Sequence, residues 1–159
     1  MAIIKPNNNT ISAITALPAA IPTGRVLQVI QGSDAIQLST TSTSLVDIGL
    51  SASITPSSSS NKVLIIVDAQ GQMPDNVGWG NAIVRGSTSI FQTNTYSNYD
   101  SSASQTNQRA SYCYLDSPNT SGSAVTYKLQ VYCYNPGTVL QNEGSNKTTI
   151  TLMEIAAWL

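Results

Sequence analysis

The sequence predicts an all-β protein, an antiparallel two-sheet β-sandwich of jelly-roll-like character behind an extended N-terminal arm, with the arm at 1–24 and the sandwich at 25–159. Three observations carry this expectation. Val63 to Val67 is a run of five adjacent apolar residues, mostly β-branched and too short for an independent helix, which reads as a strand covered on both faces with sheet on either side. Around it, Ser, Thr, Asn, Gly and Pro cut the chain into short alternating segments. Before residue 25, by contrast, the apolar residues keep neither a period of 2 nor one of 3.6.

At 159 residues the chain has the length of one domain, able to bury about two thirds of its unfolded surface without covalent staples. Charged residues make up 9%, against roughly 25% in ordinary soluble domains, and the net charge is -1. The seven Lys and Arg are scattered from Lys5 to Lys147, which argues against nucleic acid as a partner. No apolar run approaches the roughly 20 residues of a membrane span, and no basic-then-apolar leader is present, so the expectation is a soluble chain folded in a cytoplasm. Ser, Thr, Asn and Gln fill the polar positions. Such a nearly neutral surface suits a protein that sits against other proteins in a permanent assembly.

In the arm, Ile3, Ile4, Ile11, Ile14, Leu17 and Ile21 are spaced irregularly, and Pro6, Pro18 and Pro22 interrupt any regular element. Fully stretched, the arm reaches on the order of 80 Å, and its isoleucines make poor sense facing water. It is expected to lie on a neighbouring subunit, and the competing reading folds it back over the edge of its own sheet. Strands follow at Arg25–Gln31, Ser39–Thr43 and Leu45–Thr55, where Val46, Ile48, Leu50, Ala52 and Ile54 alternate and so face the core. After the central strand, 71–80 reads as a loop carrying Trp79. Asn81–Arg85 and Thr88–Gln92 then form a tight hairpin about Gly86-Ser87. The polar stretch 93–108, with Tyr96 and Tyr99, reads as a binding or mobile loop. Segments 109–115 and 126–134 are expected to pair, with Tyr127, Leu129, Val131 and Cys133 on one face. In the last strand, 148–159, Ile150 and Leu152 point inward. Strict alternation would bury Glu154 too, so a bulge near Met153 is expected.

The absence of histidine removes Ser-His-Asp triads, Cys-His dyads and imidazole metal sites, and the eight Asp and Glu are separated in the sequence. No motif with a mechanism is present, so no enzyme activity, catalytic residue, metal or cofactor is predicted. Cys113 and Cys133 each sit in a Tyr-Cys-Tyr triplet. The expected pairing puts them near 20 Å apart at about 3.3 Å per residue, too far for a disulfide, so two reduced, buried thiols are expected. Tyr112, Tyr114, Tyr132 and Tyr134 would then form an aromatic stripe on the face opposite the cysteines, either core stacking or a subunit interface. Trp79, Tyr96 and Tyr99 among Asn and Asp are a possible glycan or partner loop, with plain loop anchoring as the competing reading.

Several stretches together resemble a β-sandwich module of virion proteins from tailed bacteriophages, cyanophages among them. They are Gly24-Arg-Val-Leu-Gln-Val-Ile-Gln31, Ser39-Thr-Thr-Ser-Thr-Ser-Leu-Val-Asp47, Leu50 to Ile65, Ala82-Ile-Val-Arg-Gly-Ser-Thr88 and Thr149-Ile-Thr-Leu-Met-Glu-Ile155, in an order and spacing that span most of 24–157. The resemblance implies a virion structural or adhesive role, as a homotrimer. The module usually ends a long tail-fibre chain, whereas 24 residues precede it here. The architecture is thus similar to small capsid decoration, or cement, proteins. That likeness implies the major capsid protein as partner, the capsid surface as location, and Ile3, Ile4, Ile11, Ile14, Leu17 and Ile21 as the clamp, each worth on the order of 1.5 to 3 kcal/mol if fully buried. A tail fibre or receptor-binding protein recognising host glycans is the alternative. Glu154 is expected to be tolerable if hydrogen-bonded across subunits near a trimer axis.

Overall fold

The central apolar run becomes the middle strand of the larger of two sheets. The computed structural model describes residues 25–101, 105–135 and 137–157, apart from the side chains of Ser97 and Asp100. The arm at 1–24, with all six of its singled-out apolar residues, lies outside the described residues. The strands are β1 (Val26–Asp34), β2 (Leu38–Thr40), β3 (Val46–Ile54), β4 (Lys62–Met73), β5 (Val77–Arg85), β6 (Thr88–Gln92), β7 (Tyr99–Asp100), β8 (Thr106–Asp116), β9 (Val125–Cys133), β10 (Val139–Gln141) and β11 (Thr148–Ile155).

In the first sheet, one edge of β4 pairs along its length with β8, while the other edge is shared by β11 and then β10, which carry β1 and β2 outside them. The second sheet runs β3-β9-β5-β6, with β7 on β5. Every pairing is antiparallel, and the two sheets close on each other as the expected sandwich. The core lies between them. β3 contributes Ile48, Leu50, Ala52 and Ile54, β4 contributes Val63, Ile65, Val67 and Ala69, and Trp79, Leu129, Val131, Ile150 and Leu152 complete it. The alternation read for β3, the inward Ile150 and Leu152, the hairpin about Gly86 and Ser87, and the shared face of Tyr127, Leu129, Val131 and Cys133 all hold.

Seven readings are corrected. Segments 109–115 and 126–134 do not form a hairpin, because β8 pairs with β4 in the first sheet and β9 with β3 and β5 in the second. The eight residues between them cross from one sheet to the other, a step of about 10 Å that such a connection spans easily. Hence the cysteines stand in different sheets. Both are free, and Cys133 is buried while Cys113 is exposed. Nor do the tyrosines make one stripe. Tyr112 and Tyr114 point between the sheets, where Tyr112 stacks on Phe91 at 5.3 Å, and Tyr132 faces outward from β9, donating to the Thr93 carbonyl at 2.7 Å.

Most of 71–80 is strand, not loop. β4 runs on to Met73, Pro74 to Asn76 turn the chain, and Trp79 is fully buried on β5. Gly71 makes room for it, since a β-carbon there would stand 2.5 Å from the indole. Likewise β8 claims the end of the polar stretch from Thr106. β4 is also covered on one face only, with Ile66 37% exposed on the other. Finally, no bulge relieves β11. Its pairing with β4 is unbroken from Thr149 to Ile155, and Glu154 is buried.

Candidate interaction surface

The uncovered face of β4 belongs to a wider apolar surface. Cross-strand partners share a face, so the pairings place Val29, Met153, Leu64 and Leu115 in one row across β1, β11, β4 and β8. The next row is Gln31, Thr151, Ile66 and Cys113, and the row on the other side begins with Val26 and Ile155. Val29 and Leu115 are each more than half exposed. Charges stand only at the borders: Lys62 donates to Ser117 at one end, and Asp68 is held by Arg109 and Ser111 at the other. Hydrogen bonding from Arg109 holds the Asp68 carboxyl below its ordinary value, with Ser111 adding to it against partial burial. An apolar patch with a polar border is the form of a protein contact site. Its sequence signal was the unbroken run Val63 to Val67, in which both faces of the strand are apolar.

β1 carries the same character to its edge. Among the described residues β11 is its only strand partner, and Val26, Leu27, Val29 and Ile30 are all exposed, with Ile36 just beyond at 78%. Sheet edges of this kind invite pairing with another chain. A β-bulge at Val26–Gln28 marks where the strand enters the sheet.

Under β1 lies the buried Glu154 carboxylate. It accepts from Gln28 Nε2 at 2.6 Å, the Ser57 amide at 2.7 Å, the Ser57 hydroxyl at 2.8 Å and Asn61 Nδ2 at 2.5 Å. Burial alone would raise this carboxyl, but the bonds from Gln28, Asn61 and Ser57 outweigh it and hold it down at about 2. The donors all come from the same chain, so no neighbouring subunit is needed to account for Glu154.

The possible glycan loop is divided by the structure. Trp79 belongs to the core, whereas Tyr96 and Tyr99 lie together, their ring centroids 5.4 Å apart. Tyr134, just past β9, joins them at 4.4 Å from Tyr96 and 6.0 Å from Tyr99. Tyr99 donates to Asn76 at 3.3 Å, and Asn94 caps the short turn Thr95–Asn98 that presents Tyr96. Tyr96 and Tyr134 remain exposed.

Elsewhere the Asp116 and Asp47 carboxylates are engaged. Asp116 takes both oxygens to Arg85 and also accepts from Tyr127 at 2.7 Å, while Asp47 accepts from Lys128 and Gln130. Beside Asp47, between β3 and β9, is a half-open depression of about 180 Å³, smaller than the roughly 300 Å³ at which ligand pockets begin. Among the described residues no three His, Cys, Asp or Glu side chains are grouped to hold a metal, and no helix is long and apolar enough to cross a membrane. No family model matches the chain, and no curated protein matches its sequence.

Proposed function

We propose that this protein is a structural component of a tailed-phage virion, a capsid decoration protein that binds the outer shell and ties neighbouring capsomers together through its N-terminal arm. The observation that carries this reading is β1, an edge strand exposing Val26, Leu27, Val29 and Ile30 that follows directly from the isoleucine-bearing segment 1–24. The β1 edge offers exposed apolar side chains beside a row of backbone hydrogen-bonding groups with no strand partner among the described residues, the chemistry of strand addition to another protein. Homotrimeric association on the shell would multiply weak single contacts into tight attachment.

Deleting residues 1–22 tests the reading. The remaining sandwich is expected to stay folded and soluble yet fail to bind purified capsids; a truncated chain that still decorates them would remove the clamp. Counting copies per particle against the major capsid protein gives the companion measurement. A ratio near that of the shell protein supports decoration.

The exposed cluster of Tyr96, Tyr99 and Tyr134 favours a second reading, a tail protein that stacks host glycans on aromatic rings. It predicts a handful of copies per particle and adsorption of the purified protein to host cells, lost in Tyr96→Ala.

A further inference from the structure

The outer face of the first sheet lacks an occupant among the described residues, and its size discriminates between the possible ones. Three strand spacings of about 4.8 Å make it roughly 14 Å wide, and five residues along a strand make it about 16 Å long, on the order of 200 Å². A stable contact between two folded proteins takes about 800 Å² from each partner. The face is therefore small for a second copy and well sized for one extended segment of four or five residues.

A segment of that kind is tethered to it. Val26, opposite Ile155, stands at one corner of the face, and the chain enters there from Arg25. Ile21 is five residues before Val26, a reach of roughly 17 Å, or the full width of the face. Positions 1–24 contain one charged residue, Lys5, and the middle of the face contains none. Covalent attachment by so short a link places the segment at an effective concentration on the order of millimolar, so weak apolar contacts suffice.

We propose that in the free chain the five-residue segment 17–21 packs across the outer face of its own first sheet, with Leu17 and Ile21 covering Val29, Leu64, Ile66, Leu115 and Met153. The proposal concerns the unassembled protein and stands whether or not the chain binds a shell.

Cys113 lies in this face and Cys133 in the core, so the chain carries its own reporter and its own control. The rate at which 5,5′-dithiobis(2-nitrobenzoate) reacts with Cys113 is to be compared between the full chain and a full-length variant carrying Leu17→Asp and Ile21→Asp. The expected result is at least tenfold slower reaction in the unaltered chain, independent of protein concentration, with Cys133 silent in both. Equal rates, or protection that grows with concentration, overturn it. In the unaltered chain, a diazirine placed on Cys113 through a small maleimide, in an equal mixture of light and heavy protein, is expected to cross-link to residues 17–21 of the same chain. Cross-links between light and heavy chains, or none to that segment, overturn it equally.

Discussion

Asn61 holds Glu154 with one end of its amide and the chain after β11 with the other: its Nδ2 donates to the carboxylate at 2.5 Å, and its Oδ1 accepts from the Ala157 amide at 3.1 Å. With Gln28 and Ser57 it encloses a buried charge using neutral donors only. Such a group is held by geometry, with Gln28 also reaching the Thr55 carbonyl and Asn61 the Ser57 hydroxyl.

Replacing Glu154 with Gln therefore keeps the shape and breaks the chemistry. The new amide group would turn its own hydrogens on the Ser57, Asn61 and Gln28 donors, of which Gln28 keeps the Thr55 carbonyl and Asn61 the Ser57 hydroxyl as a second acceptor. A loss of roughly 2–4 kcal/mol is expected at neutral pH, read as a lower urea midpoint with an unchanged slope.

The acid limb of the stability curve tests the same site. The Glu154 carboxyl is held at about 2 in the fold against an ordinary value of 4.5. A carboxyl that takes up protons less readily folded than unfolded stabilises the fold above its unfolded value. Its contribution, roughly 3 kcal/mol, is present above pH 4.5 and is lost as pH falls through about 2. Asp47 and Asp68, held down by Lys128 and Arg109, act in the same direction but are more exposed and contribute less. Urea midpoints measured from pH 5 to pH 2 should fall less steeply for the Glu154→Gln variant than for the unaltered chain; parallel curves would show that Glu154 does not set the slope.

Asp116 joins the sheets, since Arg85 and Tyr127 reach it from the second sheet. Tyr127→Phe removes one donor and leaves the ion pair, so about 1 kcal/mol is expected. Asp116→Ala strands the Tyr127 hydroxyl in the core, where burial first and Asp116 second already push its ionisation well above the ordinary range, and about 3 kcal/mol is expected. Equal effects in thermal unfolding would contradict this ordering.

At Gly71 a methyl group has nowhere to go: its carbon would stand 2.5 Å from the Trp79 ring and 2.8 Å from the Gln141 amide. Gly71→Ala should cost about 1–3 kcal/mol or more through overpacking. A chain of unaltered thermal stability would mean that the indole can shift at no cost.

The fold was legible where one strand's own pattern decided the matter. Five alternating residues of β3 and the two-residue turn at Gly86 are local signals, and each gave the right element. What was not legible depended on partners. β8 and β9 each alternate, and alternation names a strand's faces without naming its neighbour. Gly71, Gly78 and Gly80 read as loop punctuation around Trp79, yet in the structure they are strand positions where a side chain would strike Trp79, the Thr95 carbonyl and Tyr132. For Glu154, alternation indicated burial correctly. The bulge was invoked because a buried charge needs partners, and Gln28, Ser57 and Asn61 lie 126, 97 and 93 residues away. The apolar outer face was present in the run Val63 to Val67 but was read as a covered surface.

The pairing of β1 with β11 also sets a timetable for synthesis. Val26 pairs with Ile155, so the first of the described strands has no place in the sheet until the eleventh has emerged from the ribosome. At roughly 5–20 residues per second, that interval lasts about 6–25 s. Through it Val26, Leu27, Val29 and Ile30 stand unsheltered on a nascent chain, which makes this strand the natural first contact for a chaperone.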